Sequence, residues 1–155
     1  MLSVRRIVYL CALSSLVACT HPTKLAAPEE FAELGQSGPY AYRAMTARGV
    51  VVGVRAEKNA PQASLQFWAD AIDLKLRKQG YEPSSAQDVK SVEGVPGKQL
   101  RYVRDEDRRP HRYWVTVYVT GERVFVVEAT GDKEAFDPAE ESVQRTVLSL
   151  RGAKG

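Results

Sequence analysis

Side chains able to do acid–base or nucleophilic chemistry are few in this sequence, and their contexts do not favour catalysis. The chain has two histidines, His21 and His111. A Ser-His-Asp site needs a serine on a rigid turn beside such a histidine, and no serine of the chain has that sequence context. Asp105, Glu106 and Asp107 offer carboxylates for hydrolysis or cation binding, but the four arginines around them favour solvated salt links. These residues therefore predict no enzyme.

Phosphate and cofactor motifs are equally weak. The tetrapeptide PGKQ, Pro96 to Gln99, is not a phosphate-binding loop. That motif requires Ser or Thr after Gly-Lys and a glycine five residues before the second glycine, where this chain has Gln99 and Val92. The sequence thus predicts neither a cofactor nor a metal site.

The chemistry with a clear sequence signature concerns Cys19. Arg5 and Arg6 are the only charged residues before it, and the uncharged segment from Ile7 to Ala18 follows them. A basic start and a short apolar run are the layout of a secretory signal. As a helix this run reaches about 18 Å, which is too short for a hydrocarbon core of about 30 Å. No later segment is both long and uncharged, so no transmembrane helix is predicted.

The tetrapeptide LVAC, residues 16–19, resembles the lipobox of bacterial lipoproteins. The resemblance implies that residues 1–18 are a signal peptide, that cleavage precedes Cys19, and that Cys19 then carries a lipid anchor in the cell envelope. Thr20 is not the aspartate that retains such proteins in the inner membrane, so the outer membrane is favoured in a cell with two membranes. The alternative is an ordinary secretory signal with a cysteine there by chance.

Processing at Cys19 changes what the composition means. The formal charge of the whole chain is +3, but the signal removes Arg5 and Arg6 and leaves 20 basic against 19 acidic residues. This balance argues against a nucleic-acid partner. Cys11 lies in the signal and Cys19 is acylated, so the mature chain would have no disulfide and no thiolate metal ligand.

Four segments follow from these patterns. Residues 1–18 are the signal, residues 19–39 a Pro- and Gly-containing tether, residues 40–150 a single α+β domain, and residues 151–155 a tail. The tether allows a short helix at Pro28–Leu34. Within the domain, valines at alternate positions in residues 49–57 predict a strand.

A long amphipathic helix comes next. Asn59 and Pro61 are start signals and Gly80 is a stop signal, which predicts about eighteen helical residues. A weakly patterned stretch, residues 81–92, precedes a strand at Lys98–Arg104, on which Leu100 and Tyr102 share a face. Residues 104–112 are predicted to form a charged loop.

The segment 112–130 predicts a hairpin with a type II′ turn at Gly121-Glu122. A two-residue loop places Thr120 opposite Arg123. One face then carries five valines, namely Val115, Val117, Val119, Val124 and Val126. The other carries Trp114, Tyr118, Phe125, Val127 and Ala129. Because both faces are apolar, either helices cover both, which is favoured, or one face offers a pocket or a partner surface.

A second helix ends the chain. Asp137 is a good N-cap, Pro138 suits the first helical position, and Gly152 is a stop signal. Val143, Val147 and Leu150 form its predicted buried stripe.

The order of strand, long helix, strand meander, hairpin and closing helix, ending in GERVFVVEATGDKEAFDPAEESVQRTVLSL, resembles the PsbP-like superfamily. The resemblance covers residues 40–150. It implies an antiparallel β-sheet sandwiched between α-helices, and it implies no site residues.

The hypothesis that follows is a lipid-anchored, non-catalytic module that contacts an envelope protein. Its proposed contact is the charged loop, with residues Arg104, Arg108, Arg109, His111 and Arg112. The aromatic face of Trp114, Tyr118 and Phe125 is a second candidate for a cleft or partner surface. The alternatives are a small-ligand carrier with an apolar cleft beside the hairpin and, less favoured, a small hydrolase.

Overall fold

A computed structural model describes residues 22–35, 38–106 and 108–153. Seven strands form one antiparallel sheet in the order β1-β2-β3-β7-β6-β5-β4. The elements in chain order are β1 Phe31–Leu34, β2 Tyr40–Thr46, β3 Val51–Lys58, α1 Leu65–Lys78, β4 Glu82–Lys90, β5 Pro96–Glu106, β6 Arg109–Val119, β7 Arg123–Asp132 and α2 Lys133–Leu148.

The hairpin of β6 and β7 lies at the centre of the sheet. Val119 pairs with Val124 and Tyr118 with Phe125, so the predicted register is confirmed. The predicted turn type was wrong, because Gly121 is not among the described glycines with positive φ and a type II′ turn requires that conformation. The Glu122 carbonyl accepts a hydrogen bond from the Asn59 backbone N–H at 2.7 Å.

Each face of this hairpin is covered by one helix. The aromatic side chains Trp114, Tyr118 and Phe125 belong to a core with the apolar side of α2. The valines of the opposite face form a second core with Leu76, and α1 packs there against β5 and β6. Each helix packs mainly on part of its face: α1 lies on β5 and β6, and α2 lies on β7, β6 and β3.

Both helices begin at positions other than those predicted. Helix α1 starts at Leu65, because the Ser64 hydroxyl accepts a hydrogen bond from the Phe67 N–H and caps the first turn. It therefore has 14 residues rather than about eighteen. Asn59 instead holds the preceding loop, since its Oδ1 accepts from the Ala63 N–H and from Trp68 Nε1.

Helix α2 starts at Lys133, so Asp137 is not its N-cap and Pro138 lies inside the helix. A proline there leaves the carbonyl four residues earlier without its helical donor. Arg48 supplies the missing donor, with its Nη2 2.9 Å from the Glu134 carbonyl oxygen. This contact from outside the helix explains how α2 continues through a proline that was expected to open it.

The predicted charged loop 104–112 is mostly strand. Glu106 pairs with Arg109, so the connection between β5 and β6 is only residues 107–108. The alternation of charged side chains hid the strand, because Arg104 and Arg112 point to opposite faces and each finds a partner there. The weakly patterned stretch before β5 is the edge strand β4, whose side chains are almost all exposed.

The folded structure begins before Tyr40, where the domain was expected to start. Residues Phe31–Leu34 are β1 rather than tether or helix, and they pair with β2. Leu25 and Phe31 are buried in the core that contains α2, and Lys24 forms a β-bridge with Arg151. The prolines and glycines of this segment resembled a linker, but its few apolar residues are sufficient to dock it.

We expect Leu25→Ala to lower the free energy of unfolding by about 2–5 kcal/mol, because it leaves a cavity in the core. Leu74→Ala is the matched control, since Leu74 is 56% exposed on α1 and should change stability by no more than about 0.5 kcal/mol. Urea unfolding followed by circular dichroism measures both. Equal effects of the two substitutions would mean that residues 22–34 are not docked on the domain.

Candidate functional site at the hairpin tip

The turn between β5 and β6 presents two of the predicted contact residues to solvent. Arg108 has a φ of 64°, in the left-handed region, and both Arg108 and Arg109 are exposed. Neither guanidinium forms a hydrogen bond or an ion pair with a residue that the structure describes. Arg108, Arg109 and Pro110 lie at the turn of the hairpin formed by β5 and β6, and we call these three residues the hairpin tip.

An open cavity of about 260 Å³ separates the hairpin tip from the start of α2, and its other lining residues are Asp132, Lys133 and Glu134. The lining combines three cationic with two anionic side chains. Asp132 is already engaged, because its Oδ1 lies 2.8 Å from Nε2 of His111. The tip can therefore present arginine to an acidic partner surface.

The other members of the predicted contact set are dispersed. The Arg104 guanidinium lies over the Tyr81 ring, 5.0 Å from its centroid, on the side of the sheet that carries α1. Arg112 lies on the opposite side, where its Nε donates to Asp137 on α2 at 2.9 Å. The sequence interpretation of one continuous contact loop is thus corrected, because strand alternation sends Arg104 and Arg112 to opposite faces.

Arg112 joins β6 to α2 by pairing with the carboxylate of Asp137, whose pKa is lowered. The hydrogen bond from Arg112, together with one from Lys133, lowers the pKa of Asp137 to about 2. The Lys133 Nζ lies 2.7 Å from Oδ2 of Asp137. This pair makes Arg112 a stabilising residue rather than a free contact residue.

The predicted aromatic face is not a cleft. Trp114 is 4% exposed, and Tyr118 and Phe125 are fully buried. The Tyr118 hydroxyl donates to the Val147 carbonyl of α2 at 3.2 Å, and the Arg101 guanidinium lies 3.7 Å from the Trp114 ring centroid. The idea of a partner or ligand surface at these three residues is therefore corrected, because α2 occupies it.

Sequence reasoning missed a groove between α1 and the β4–β5 edge. Its volume is about 330 Å³, and Leu100, Tyr102 and Asp73 are among its lining residues. The Tyr102 hydroxyl donates to Asp73 at 2.8 Å, and Arg77 Nε donates to the same carboxylate at 2.7 Å. Asp73 lies off the apolar stripe of α1, which was a sequence signal for a polar site. The exposed strand β4, which completes the groove, gave no such signal.

A polar cluster around Glu128 was also missed. Its carboxylate accepts hydrogen bonds from Tyr40, Tyr113 and Arg55, the last at 2.9 Å. Burial and the adjacent Glu128 carboxylate raise the pKa of Tyr113. Because three donors occupy this carboxylate, it organises the uncovered part of the sheet rather than serving as a general base.

The described residues include a histidine–carboxylate pair beside the hairpin-tip cavity. His111 and Asp132 form a pair, but the cavity beside them has no serine, threonine or cysteine among its described lining residues. Within residues 22–35, 38–106 and 108–153, no three His, Cys, Asp or Glu side chains are grouped to hold a metal ion. No helix in these ranges is long and apolar enough to cross a membrane.

Comparison with known proteins places the fold but gives no family by sequence. No family profile and no curated protein matches the chain. Among solved structures, LpqN of Mycobacterium tuberculosis, described as involved in cell envelope biogenesis, aligns with a TM-score of 0.65 at 13% identity, covering 83% of this chain and 81% of that one.

Cyanobacterial PsbP from Synechocystis aligns with a TM-score of 0.55 at 10% identity, covering 84% of this chain and 86% of that one. A Pseudomonas aeruginosa protein of unknown function aligns with a TM-score of 0.51 at 14% identity, covering 82% and 83%. These likenesses support the expected PsbP-like fold. They concern the fold alone, because all three identities are low.

Replacing Arg112 with Ser tests its assignment as a stabilising residue. A carboxylate with a depressed pKa contributes stability above its unfolded pKa of about 3.8, and loses that contribution as the pH falls toward 2. We expect Arg112→Ser to lower the free energy of unfolding near neutral pH by up to about 1 kcal/mol, since the pair is partly exposed. The difference from the wild type should shrink as the pH falls from about 4 to 2.

Arg109→Ser is the matched control and should leave stability unchanged at every pH, because Arg109 has no described partner. Urea unfolding across the pH series gives both comparisons. A loss for Arg109→Ser as large as that for Arg112→Ser, or a pH-independent loss for Arg112→Ser, would contradict the assignment.

Proposed function

We propose that this protein is a lipid-anchored, non-catalytic accessory module of the bacterial cell envelope. Cys19 carries the anchor, and the hairpin tip contacts an acidic surface of an envelope protein. The lipobox-like LVAC sequence supports the anchor. The likeness of the fold to LpqN, described as involved in cell envelope biogenesis, is consistent with an envelope role.

The observation that carries the contact is the conformation of Arg108. A left-handed backbone costs a residue other than glycine about 1–2 kcal/mol. The chain nevertheless has arginine at this position, with its side chain exposed at the end of two 11-residue strands. Arginine is enriched at protein interfaces because its planar fork pairs with carboxylates and stacks on aromatic rings.

The rigidity of β5 and β6 favours binding further. The two strands pair without interruption from Gly97 and Tyr118 to Glu106 and Arg109. A preformed hairpin loses little conformational freedom when it binds, so more of the contact energy remains as affinity.

The small-ligand carrier remains a second candidate, at a different place from the one expected. The groove between α1 and β4 has a volume near the lower limit of ligand pockets, which is about 300 Å³. Its hydroxyl, carboxylate and cationic groups suit a small polar molecule rather than an apolar one. Native mass spectrometry of the protein purified from its own envelope distinguishes a bound small molecule from a co-purifying protein.

Arg108→Gly combined with Arg109→Ser tests the hairpin tip. Glycine favours the left-handed conformation, so the variant should be at least as stable as the wild type. Recovery of the native partner should fall by about tenfold, which corresponds to roughly 1.4 kcal/mol of binding free energy. Quantitative mass spectrometry of proteins co-purified from the envelope measures the recovery.

Arg145→Ser is the control for that experiment, because Arg145 is an exposed arginine in the last turn of α2, away from the hairpin tip. It should leave partner recovery unchanged. Unchanged recovery with the tip variant, or an equal loss with the control, would remove the hairpin tip as the contact.

Cys19→Ala should abolish acylation and leave an unprocessed or soluble chain. Detergent partitioning of cell extracts separates the acylated form from the other two. If the variant partitions into the detergent phase as the wild type does, the lipid anchor is not at Cys19.

A further inference from the structure

The point at which the anchor would join the domain is closely constrained. Thr23 and Leu25 are buried, and Lys24 forms backbone hydrogen bonds in both directions with Arg151. Only four residue-to-residue steps separate Cys19 from Thr23. A chain of that length spans at most about 14 Å in any conformation. An acylated Cys19 would therefore hold this end of the domain against the bilayer.

The surface around that point suits phospholipid headgroups. It consists of Lys24, Lys90, Val92 and Arg151, which we call the tether-exit surface. All four are exposed, and Val92 is 59% exposed. None of the three basic side chains forms an ion pair with a residue in the part of the chain that the structure describes. Basic residues around an exposed apolar one are the combination that binds an anionic membrane surface.

Hydrogen bonds from backbone N–H groups hold this surface together across three segments of the chain. The Val92 N–H donates to the Leu148 carbonyl at 2.9 Å. The Glu93 carboxylate accepts from the N–H groups of Gly152 and Ala153, each at 3.1 Å. The only acidic side chain in the turn after β4 is thus turned toward the backbone of the C-terminal segment, which leaves the basic residues to set the charge of this surface.

We infer that the tether-exit surface rests on the headgroups of an anionic phospholipid bilayer, with Val92 at the level of the headgroups and Lys24, Lys90 and Arg151 beside phosphates. The inference rests on the proposed acylation of Cys19. It fixes the orientation of the domain, which acylation alone does not.

In this orientation the hairpin tip points away from the membrane. Strand β5 begins beside the tether-exit surface at Pro96 and ends at Glu106, next to the tip. The steps from the first to the last of its 11 residues span roughly 33 Å at about 3.3 Å per step. The tip arginines would then lie far from the membrane.

Depth-dependent quenching tests the inference on the acylated mature chain in vesicles of phosphatidylglycerol and phosphatidylethanolamine. Cys19 is blocked by its thioether, so Val92→Cys introduces a single thiol for a fluorescent label. Lipids with a nitroxide on the headgroup should quench this label strongly. Arg108→Cys is the matched control, because Arg108 is exposed at the opposite end of β5, and its label should show little quenching.

The charge requirement is tested by Lys24→Ser, Lys90→Ser and Arg151→Ser, singly and together. Each removed charge should reduce the ratio of docked to undocked molecules by up to about fivefold, and replacing the anionic lipid with phosphatidylcholine should act in the same direction. Thermal unfolding of each variant verifies that the fold is intact.

The possible results distinguish a wrong orientation of the domain from the absence of a lipid anchor at Cys19. If the protein floats with the vesicles but the two labels are quenched equally, the orientation is wrong while the anchor stands. If the charge variants leave the Val92 label as strongly quenched as before, the basic residues do not dock the domain. If the mature protein purified from cells does not float at all, it carries no lipid at Cys19, and the orientation fails together with the anchor.

Discussion

The β6–β7 hairpin imposes the main physical constraint on this protein, because it carries apolar side chains on both faces. Exposure of either face would leave a row of valines or a cluster of aromatic rings in water. Phe125 and Val127 are buried on one side, and Val124 and Val126 on the other. Two helices satisfy this requirement, one on each face, and the remaining strands extend the sheet beyond them.

Because helices cover both faces of the β6–β7 hairpin, the surfaces that remain for binding lie elsewhere on the domain. Since α2 occupies the aromatic face and α1 covers the valine face, the centre of the sheet is closed to partners. The exposed chemistry is found instead at the two ends of the long strands and in the groove beside the edge strand. The hairpin tip lies at one end, and the entry of the chain beside Arg151 lies at the other. This division is the basis of the proposed arrangement, in which the domain is held at one end and contacts its partner at the other.

The sequence was informative where a single local pattern decides the structure. The two-residue loop predicted the register of β6 and β7, and the alternation of side chains then predicted that both faces are buried, because a side-chain period of two assigns each residue to one face. Gly80 also marked the end of α1, where its positive φ of 85° suits the residue after a helix.

Errors arose where contacts between distant segments override the local pattern. Pro138 looked like a helix start, but Arg48 supplies a donor from another part of the chain and α2 runs through it. Residues 104–112 looked like a loop because almost all of them are charged. The structure shows a strand pair instead, in which Arg104 and Arg112 find partners on opposite faces of the sheet. Leu25 lies in a segment with linker composition, and only the core beneath α2 shows why it is ordered. The groove was missed for another reason: β4, which completes it beside α1, has almost no buried side chain and so gave no strand pattern.

In the proposed arrangement, one end of the sheet holds the domain directly on the membrane. Neutron reflectometry of the acylated mature chain on a supported bilayer measures the protein density along the membrane normal. We expect protein density that begins at the headgroups, with no hydrated layer between the headgroups and the protein. A flexible tether of twenty residues would instead allow a separation of about 25 Å. A water-filled gap of that size would show that this end of the sheet does not rest on the bilayer.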